Sequence, residues 1–243
     1  MIKFKQARIN CLFGLLTAIF ACADVLANKP RPPSGGQVAV IVDERLSALR
    51  DAPTLSGRLL RRIGRGKLVA ITGLIQAREG IVFYRVIVTR RTHGWIQREA
   101  LIVPRRLGED QRLLRLIEAS DDFERIARAR IFLDTFSASP LKPAVLLLFG
   151  DAAEQAAEKL SREALRRLRG TQMPANGAPL FSYFLNYSGL DRYNRQGIRF
   201  VFNVETRSYH YDGSSWREIL RRYLRKPEAN EARERLERLK MKG

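Results

Sequence analysis

The hydrophobic pattern of the chain changes its period at Pro104. Before it, apolar residues alternate or form short β-branched runs at residues 38–42, 68–72 and 81–88, which is typical of β-strands. After it, apolar residues recur every three or four positions, which is typical of amphipathic helices. This order of patterns predicts an α+β multidomain fold, with a small β barrel over residues 37–103 and an all-α domain over residues 104–243.

The N-terminal segment has the pattern of a cleavable signal peptide. Lys3, Lys5 and Arg8 precede an uncharged apolar run at residues 11–23, and small residues follow it. We expect a signal peptide at residues 1–27, with cleavage after Ala23 as the alternative, and an exported protein, periplasmic or secreted. The apolar run is shorter than the ~20 residues that span a bilayer, so no transmembrane helix is expected after cleavage. Residues 28–36, with three Pro and two Gly, are predicted to be a linker.

Both cysteines, Cys11 and Cys22, lie in the predicted signal peptide. Cleavage after residue 27 leaves a protein without thiols, so disulfides, Cys-ligated zinc and a Cys nucleophile are not expected. Residues 19–22, Ile-Phe-Ala-Cys, are similar to a lipobox. The alternative to secretion as a free protein is therefore a lipid anchor at Cys22.

The chain is strongly basic, with 44 Lys and Arg against 25 Asp and Glu and a formal net charge of +19. Such a charge favours anionic partners. However, no run of five or six like charges is present, so the chain lacks a basic arm of the kind that binds nucleic acid, and nucleic acid is not the expected partner. The alternative function is a binder of an anionic polymer that uses the arginines of the barrel: Arg58, Arg61, Arg62, Arg65, Arg90 and Arg91.

Three short motifs follow one another in the predicted barrel. Ala48-Leu49-Arg50-Asp51-Ala52-Pro53 comes first, Phe83-Tyr84-Arg85-Val86 follows the Gly64-Arg65-Gly66 turn, and Gly94-Trp95-Ile96 comes last. This order resembles a bacterial SH3 (SH3b) domain. The resemblance implies a small barrel that binds peptidoglycan peptides or protein partners and has no catalytic activity.

Five residues of this region are candidate ligand contacts: Tyr84, Arg85, Arg90, Arg91 and Trp95. Strand alternation places Phe83 and Arg85 on one face and Tyr84 and Val86 on the other. We interpret Trp95 first as a core or rim residue, because Trp is mostly buried on average. A ligand platform is the alternative role.

The second half of the chain is predicted to be helical. Residues 151–169 form an amphipathic helix with alanines on its apolar face. Asp121 with Glu124, and Ser215 with Glu218, have the spacing of capping boxes. A last helix starts at Pro227 and has Ala229, Ala232, Leu236 and Leu239 on one face.

The last two predicted helices resemble one repeat of the tetratricopeptide type. The matching residues are Trp216, Ile219, Leu220 and Tyr223 in the first helix, and Ala229, Ala232 and Leu236 in the second. The resemblance implies a protein-interaction surface. Because a solenoid needs about three repeats, we expect a repeat-like helical domain rather than an array.

The sequence offers no catalytic or metal-binding constellation. Its two histidines, His93 and His210, are far apart, and neither has the neighbouring ligands of a metal site or the activated nucleophile of a hydrolase. Phosphate-binding glycine motifs are absent. We therefore expect no enzyme activity, no metal and no cofactor. The predicted function is an exported adaptor that recognises peptidoglycan or an envelope protein; an accessory of a wall hydrolase is a further alternative.

Overall fold

A seven-stranded antiparallel sheet occupies residues 37–102. The computed structural model describes residues 35–168 and 177–242. The predicted signal peptide, both cysteines and all but the last two residues of the predicted linker lie outside these residues. The strands are β1 (Gln37–Ile41), β2 (Ala48–Arg50), β3 (Leu59–Arg62), β4 (Leu68–Gln76), β5 (Val82–Thr89), β6 (Thr92–Gln97) and β7 (Leu101–Ile102).

The strands pair in the order β3-β2-β6-β5-β4-β1-β7. A short 3₁₀ helix, Arg98–Ala100, leads from β6 into β7. The outer strands β3 and β7 do not pair with each other, so the sheet is not closed and the predicted small barrel is not confirmed. Arg90 and Arg91 form the tight turn between β5 and β6, because Thr89 pairs with Thr92.

Helices follow the sheet, which confirms the mixed α+β class. They are α1 (Glu109–Glu118), α2 (Asp122–Thr135), α3 (Lys142–Arg167), α4 (Leu180–Leu185), α5 (Asp191–Asn194), α6 (Ser214–Arg222) and α7 (Glu228–Lys242), with a 3₁₀ helix at Ser188–Leu190. The predicted apolar face of the last helix is confirmed: Ala229 and Ala232 are buried, and Leu236 and Leu239 pack against the same core. None of the helices in the described part of the chain is both long and apolar enough to cross a membrane.

The prediction that residues 104–243 are all-α is wrong at residues 200–211. Strands β8 (Phe200–Asn203) and β9 (Ser208–Tyr211) form an antiparallel hairpin there. In β9 the buried Tyr209 and Tyr211 alternate with Ser208 and His210, whereas β8 begins with Phe-Val-Phe. Aromatic side chains at every second position favour a strand whose one face packs on a core.

The hairpin packs along α3, and side chains of α3 bind its outer edge. The Tyr209 amide donates to Ser161 Oγ at 2.7 Å, and the Tyr211 amide donates to Glu154 Oε2 at 2.8 Å. Ser161 and Glu154 are two turns apart on α3 and lie on the same face of the helix, from which both side chains reach the edge of β9. The helix therefore takes the place of a third strand.

Helix α3 is longer than the sequence predicts. The predicted helix starts at residue 151, after two prolines, but α3 begins at Lys142 and includes Pro143 in its first turn. Proline is tolerated there because the first amides of a helix have no intrahelical partner. The apolar residues 144–149 consequently lie in the helix, and most of them are buried.

The two predicted capping boxes are absent. Asp121 is the N-cap of α2, but its side chain makes no capping hydrogen bond. Helix α6 starts one residue before the predicted cap, with Gly213 at the N-cap, and the Ser214 amide instead donates to Asp212 Oδ1 at 2.9 Å. Both helices form nevertheless, because the packing of their apolar faces stabilises them more than a single cap would.

Strands β1 and β7 are buried on both faces. Ala39, Ile41 and Leu101 point into the core of the sheet. Val40, Val42 and Ile102 point the other way and join the core of the helices. The described residues all belong to one compact unit, Pro32–Gly243, and these strands are where its sheet and helices share apolar contacts.

Candidate functional site

One row of side chains crosses five strands of the sheet. Arg50 of β2 pairs with Leu59 of β3 and with Trp95 of β6. Trp95 pairs with Arg85 of β5, which pairs with Gly73 of β4. Directly paired residues of antiparallel strands project from the same face. These five residues, which we call the Trp95 row, therefore form a continuous line on one face of the sheet.

The Trp95 row lies on the face opposite the sheet core. Tyr84 and Val86, the neighbours of Arg85 in β5, are buried in that core, whereas Arg85 is exposed. The predicted alternation of β5 is thus confirmed. Trp95 is half-buried, so part of its ring is open to solvent. Gly73 has no side chain, which leaves open space beside Arg85.

The two arginines of the row differ in how they are held. Arg50 Nη1 donates to the carbonyl oxygen of Gly57 at 2.7 Å and so holds the loop between β2 and β3. The side chain of Arg85 has no hydrogen-bond or ion-pair partner among the described residues. Arg85 is therefore the cation of the row that is free to bind a ligand, and Arg50 positions the loop at its edge.

The structure brings together two of the five predicted contacts, Arg85 and Trp95. Tyr84 lies inside the sheet core, with 5% of its surface exposed, and its hydroxyl accepts a hydrogen bond from Arg106 at 3.0 Å. Arg90 and Arg91 are exposed in the turn at one end of the sheet. Arg50 was missed, because its place beside Trp95 depends on a strand pairing that local sequence does not specify.

An exposed arginine paired with a half-buried tryptophan has a definite binding chemistry. The guanidinium of Arg85 offers a planar fork of N–H donors that matches carboxylate or phosphate oxygens. The exposed part of the Trp95 ring offers apolar contact area at low entropic cost, because the side chain is already partly packed. The row therefore suits an extended ligand with anionic groups and apolar or planar parts. His93 is exposed on the same strand.

His210 lies in a chain of polar contacts that the sequence did not reveal. Its Nδ1 is 3.4 Å from Glu154 Oε1, and its Nε2 is 3.0 Å from Ser208 Oγ. Ser208 is also bonded to the Thr206 hydroxyl at 2.6 Å. An acid, an imidazole and a hydroxyl in this order occur in hydrolases, but Glu154 here also binds the strand amide of Tyr211. We interpret these polar contacts as the attachment of the β8–β9 hairpin to α3.

The described residues contain no group of three or more His, Cys, Asp or Glu side chains arranged to hold a metal ion. Comparison with protein-family models, with curated proteins and with solved structures finds no significant match for this chain.

Proposed function

We propose that the protein is an exported, non-catalytic binding module. In this proposal the Trp95 row recognises an envelope component that carries carboxylates, such as a wall peptide, and the helical region binds a second protein. The observation that carries the proposal is the pairing of a free, exposed Arg85 with a half-open Trp95 on one sheet face.

The strand order supports an SH3b-like fold for residues 37–102. In the sheet, each of the strands β7, β1, β4, β5 and β6 lies beside the next. In the sequence, the β2–β3 hairpin comes between β1 and β4, and the 3₁₀ helix comes directly before β7. This arrangement is consistent with the SH3 family. The packing of α6 against α7 supports a repeat-like pair, with the small residues Ala229 and Ala232 buried.

Binding to purified peptidoglycan and to its soluble peptides tests the proposal. We expect the Trp95→Ala variant to bind about tenfold more weakly or worse, because a partly buried aromatic at the centre of a contact surface contributes strongly to binding. Phe181→Ala, at an exposed aromatic residue of α4 in the helical region, is the matched control and should bind like the parent.

The charge is tested separately with Arg85→Gln against Arg78→Gln, an exposed arginine in the β4–β5 turn. Only Arg85→Gln should weaken binding. Acrylamide quenching reports the contact directly, because Trp95 is half-open and the other tryptophan, Trp216, is 2% exposed. Two results would contradict the proposal. One is that neither peptidoglycan nor any envelope protein retains the protein. The other is that the Trp95→Ala and Arg85→Gln variants bind as tightly as their controls.

The absence of catalysis is tested at Ser208. We expect no labelling by a serine-reactive fluorophosphonate, because the contact between His210 Nδ1 and Glu154 Oε1 is long, at 3.4 Å, and the Ser208 hydroxyl is also bonded to Thr206. Covalent labelling of the parent that is lost in Ser208→Ala and in His210→Ala would show that the protein is an enzyme.

A further inference from the structure

A basic hollow lies where β3 leads into β4, apart from the Trp95 row. Its volume is about 470 Å³. It is lined by the continuous segment 61–67 and by Val88 of β5. Within this segment, Arg61, Arg62, Arg65 and Lys67 are cationic, and Gly64 and Gly66 have no side chains.

The frame of the hollow is fixed by main-chain hydrogen bonds. The Ile63 amide donates to the Ser47 carbonyl at 3.2 Å, and the Gly66 amide donates to the Ile41 carbonyl at 2.8 Å. Gly66 has φ +77°, a conformation that glycine adopts without strain. The turn is thus tied to both neighbouring strands, and a ligand would meet a preformed surface rather than a mobile loop.

The cations of the hollow are largely uncommitted. Arg61 and Lys67 are exposed, and their side chains have no partner among the described residues. Arg62 makes one long contact, from Nη1 to the Arg45 carbonyl at 3.4 Å. Arg65 differs, because its guanidinium pairs with Glu124 of α2 at 3.2 Å. Arg61 and Lys67 are therefore free and Arg62 is held by one long contact, and all three residues line the hollow.

One carboxylate, that of Glu44, lies beside the turn. Glu44 Oε1 accepts the Arg65 amide at 2.9 Å and is thereby held on the turn. The amide of Gly64 donates to no described residue. Gly64 is exposed and has no side chain, and glycine turns of this kind can bind phosphate. The hollow thus combines a glycine turn with the side chains of Arg61, Arg62 and Lys67.

The positive charge continues beyond the hollow. Val88 forms its far wall, and Arg90 and Arg91 follow in the exposed turn of the same strand. Because the cations extend from the hollow to Arg90 and Arg91, they suit a long ligand with several negative charges better than a single ion. Guanidinium groups pair with phosphate and with carboxylate in a bidentate manner, so the glycine turn beside the arginines is the feature that favours phosphate.

We propose that this hollow, with Arg61, Arg62 and Lys67, binds the phosphate groups of a linear polyanion, and that Arg90 and Arg91 extend the contact. This site is separate from the Trp95 row and does not depend on the function proposed for it.

The test measures binding of the full chain to long-chain inorganic polyphosphate and to a single-stranded oligonucleotide, with poly-glutamate as the carboxylate polymer. The variant Arg61→Gln/Arg62→Gln/Lys67→Gln should bind the phosphate polymers at least about tenfold more weakly, with a shallower dependence of log K on log salt, because fewer counterions are released. Tighter binding of one phosphate polymer than the other identifies the natural source of the phosphate.

The matched control removes three exposed arginines from the helical half, as Arg195→Gln/Arg221→Gln/Arg225→Gln. This control has the same net charge as the first variant and should bind like the parent. Equal losses in the two variants, or equal binding of poly-glutamate and polyphosphate, would overturn the proposal. A Trp95→Ala protein should keep its polyphosphate affinity, so failure of the Trp95 row and failure of this site are told apart.

Discussion

At the scale of single residues, Arg128 has an unusual position for a charged side chain. It lies on α2 with 3% of its surface exposed. Its guanidinium donates to the Val42 carbonyl at 3.2 Å, to Asp43 at 3.1 Å and to Glu124 at 3.0 Å, and also to Ser120 Oγ. Buried charges are tolerated only when they are paired and hydrogen-bonded. Arg128 meets this condition and joins α2 to the end of β1.

We predict that Arg128→Met is strongly destabilising. The substitution leaves the Val42 carbonyl without this donor, while Asp43 keeps its hydrogen bonds from Arg45. We therefore expect a loss of about 2–3 kcal/mol, less than the ~3–5 kcal/mol for a buried charge left without any partner. Urea unfolding measures the loss. Arg130→Met on the same helix is the control: Arg130 is 44% exposed and pairs with the exposed Asp134, so its loss should be at most about 1 kcal/mol. Similar losses in the two variants would contradict a special role for Arg128.

Asp43 gives a prediction for the dependence of stability on pH. The hydrogen bond from the Arg45 side chain is the largest cause that holds the pKa of Asp43 below its usual value, and the charge of Arg128 acts in the same direction. A carboxylate with a lowered pKa in the folded state stabilises the protein above its unfolded pKa, which is about 3.9. This contribution is lost as the pH falls from there through the folded pKa.

The measurement compares urea midpoints of the parent and of Asp43→Asn between neutral and acid pH. The parent should lose stability more steeply than the variant below about pH 4, since only the parent has a charge to lose at this position. Parallel pH profiles for the two proteins would show that Asp43 does not contribute to acid sensitivity.

The sequence predicted the helix that carries Arg128 but not the burial of this residue. The apolar spacing of Phe123, Ile126, Ala127 and Ile131 is sufficient to indicate α2 and its face. An arginine among them is normally expected at the surface. Its partner Asp43 is 85 residues away, and no local pattern specifies a contact over that distance.

At the scale of elements, the errors of prediction share a cause. Helix α3 was predicted too short because prolines near its start were interpreted as breaks, although the position of Pro143 in the first turn permits it. The β8–β9 hairpin was missed because its strands have only four residues each. Strand β3 was missed because all four of its residues are exposed, which leaves no hydrophobic period. Elements with long buried faces, such as β5 and α7, were predicted correctly.

Helix α3 also contains a glycine where helices cross. A methyl group at Gly150 would lie 2.3 Å from Trp216 Nε1 and 2.6 Å from Ser215 Oγ of α6. Because Trp216 is 2% exposed, the indole has little room to move. The glycine therefore sets the distance between α3 and α6.

We predict that Gly150→Ala destabilises the protein by about 1–3 kcal/mol, as other overpacked cores do. In an unobstructed helix the same change would stabilise by about 1 kcal/mol, so the sign of the effect identifies the clash. The double variant Gly150→Ala/Trp216→Phe should lose less free energy of unfolding than the two single variants lose together, because phenylalanine lacks the part of the indole ring that clashes. Additive effects would contradict the assignment.

At the scale of the whole molecule, the sheet and the helices have a common core at β1 and β7. Val40, Val42 and Ile102 are at most 3% exposed and pack with the helices. The buried contact between Asp43 and Arg128 lies beside them. Separation of the two parts would expose these side chains, at a cost of about 1.5–3 kcal/mol for each.

We predict that the domain boundary expected at residue 103 does not divide the protein into independently folding parts, and that residues 35–242 unfold in one transition. In a Trp216→Phe variant, the fluorescence of Trp95 reports the sheet, while far-ultraviolet circular dichroism reports mainly the helices. The two signals should have the same urea midpoint, as two-state unfolding requires. The segment 35–104 alone should lack a cooperative transition, since β1 and β7 would lose the cover on one face. Different urea midpoints for the two signals, or a cooperative transition of segment 35–104 alone, would instead show that the sheet folds independently of the helices.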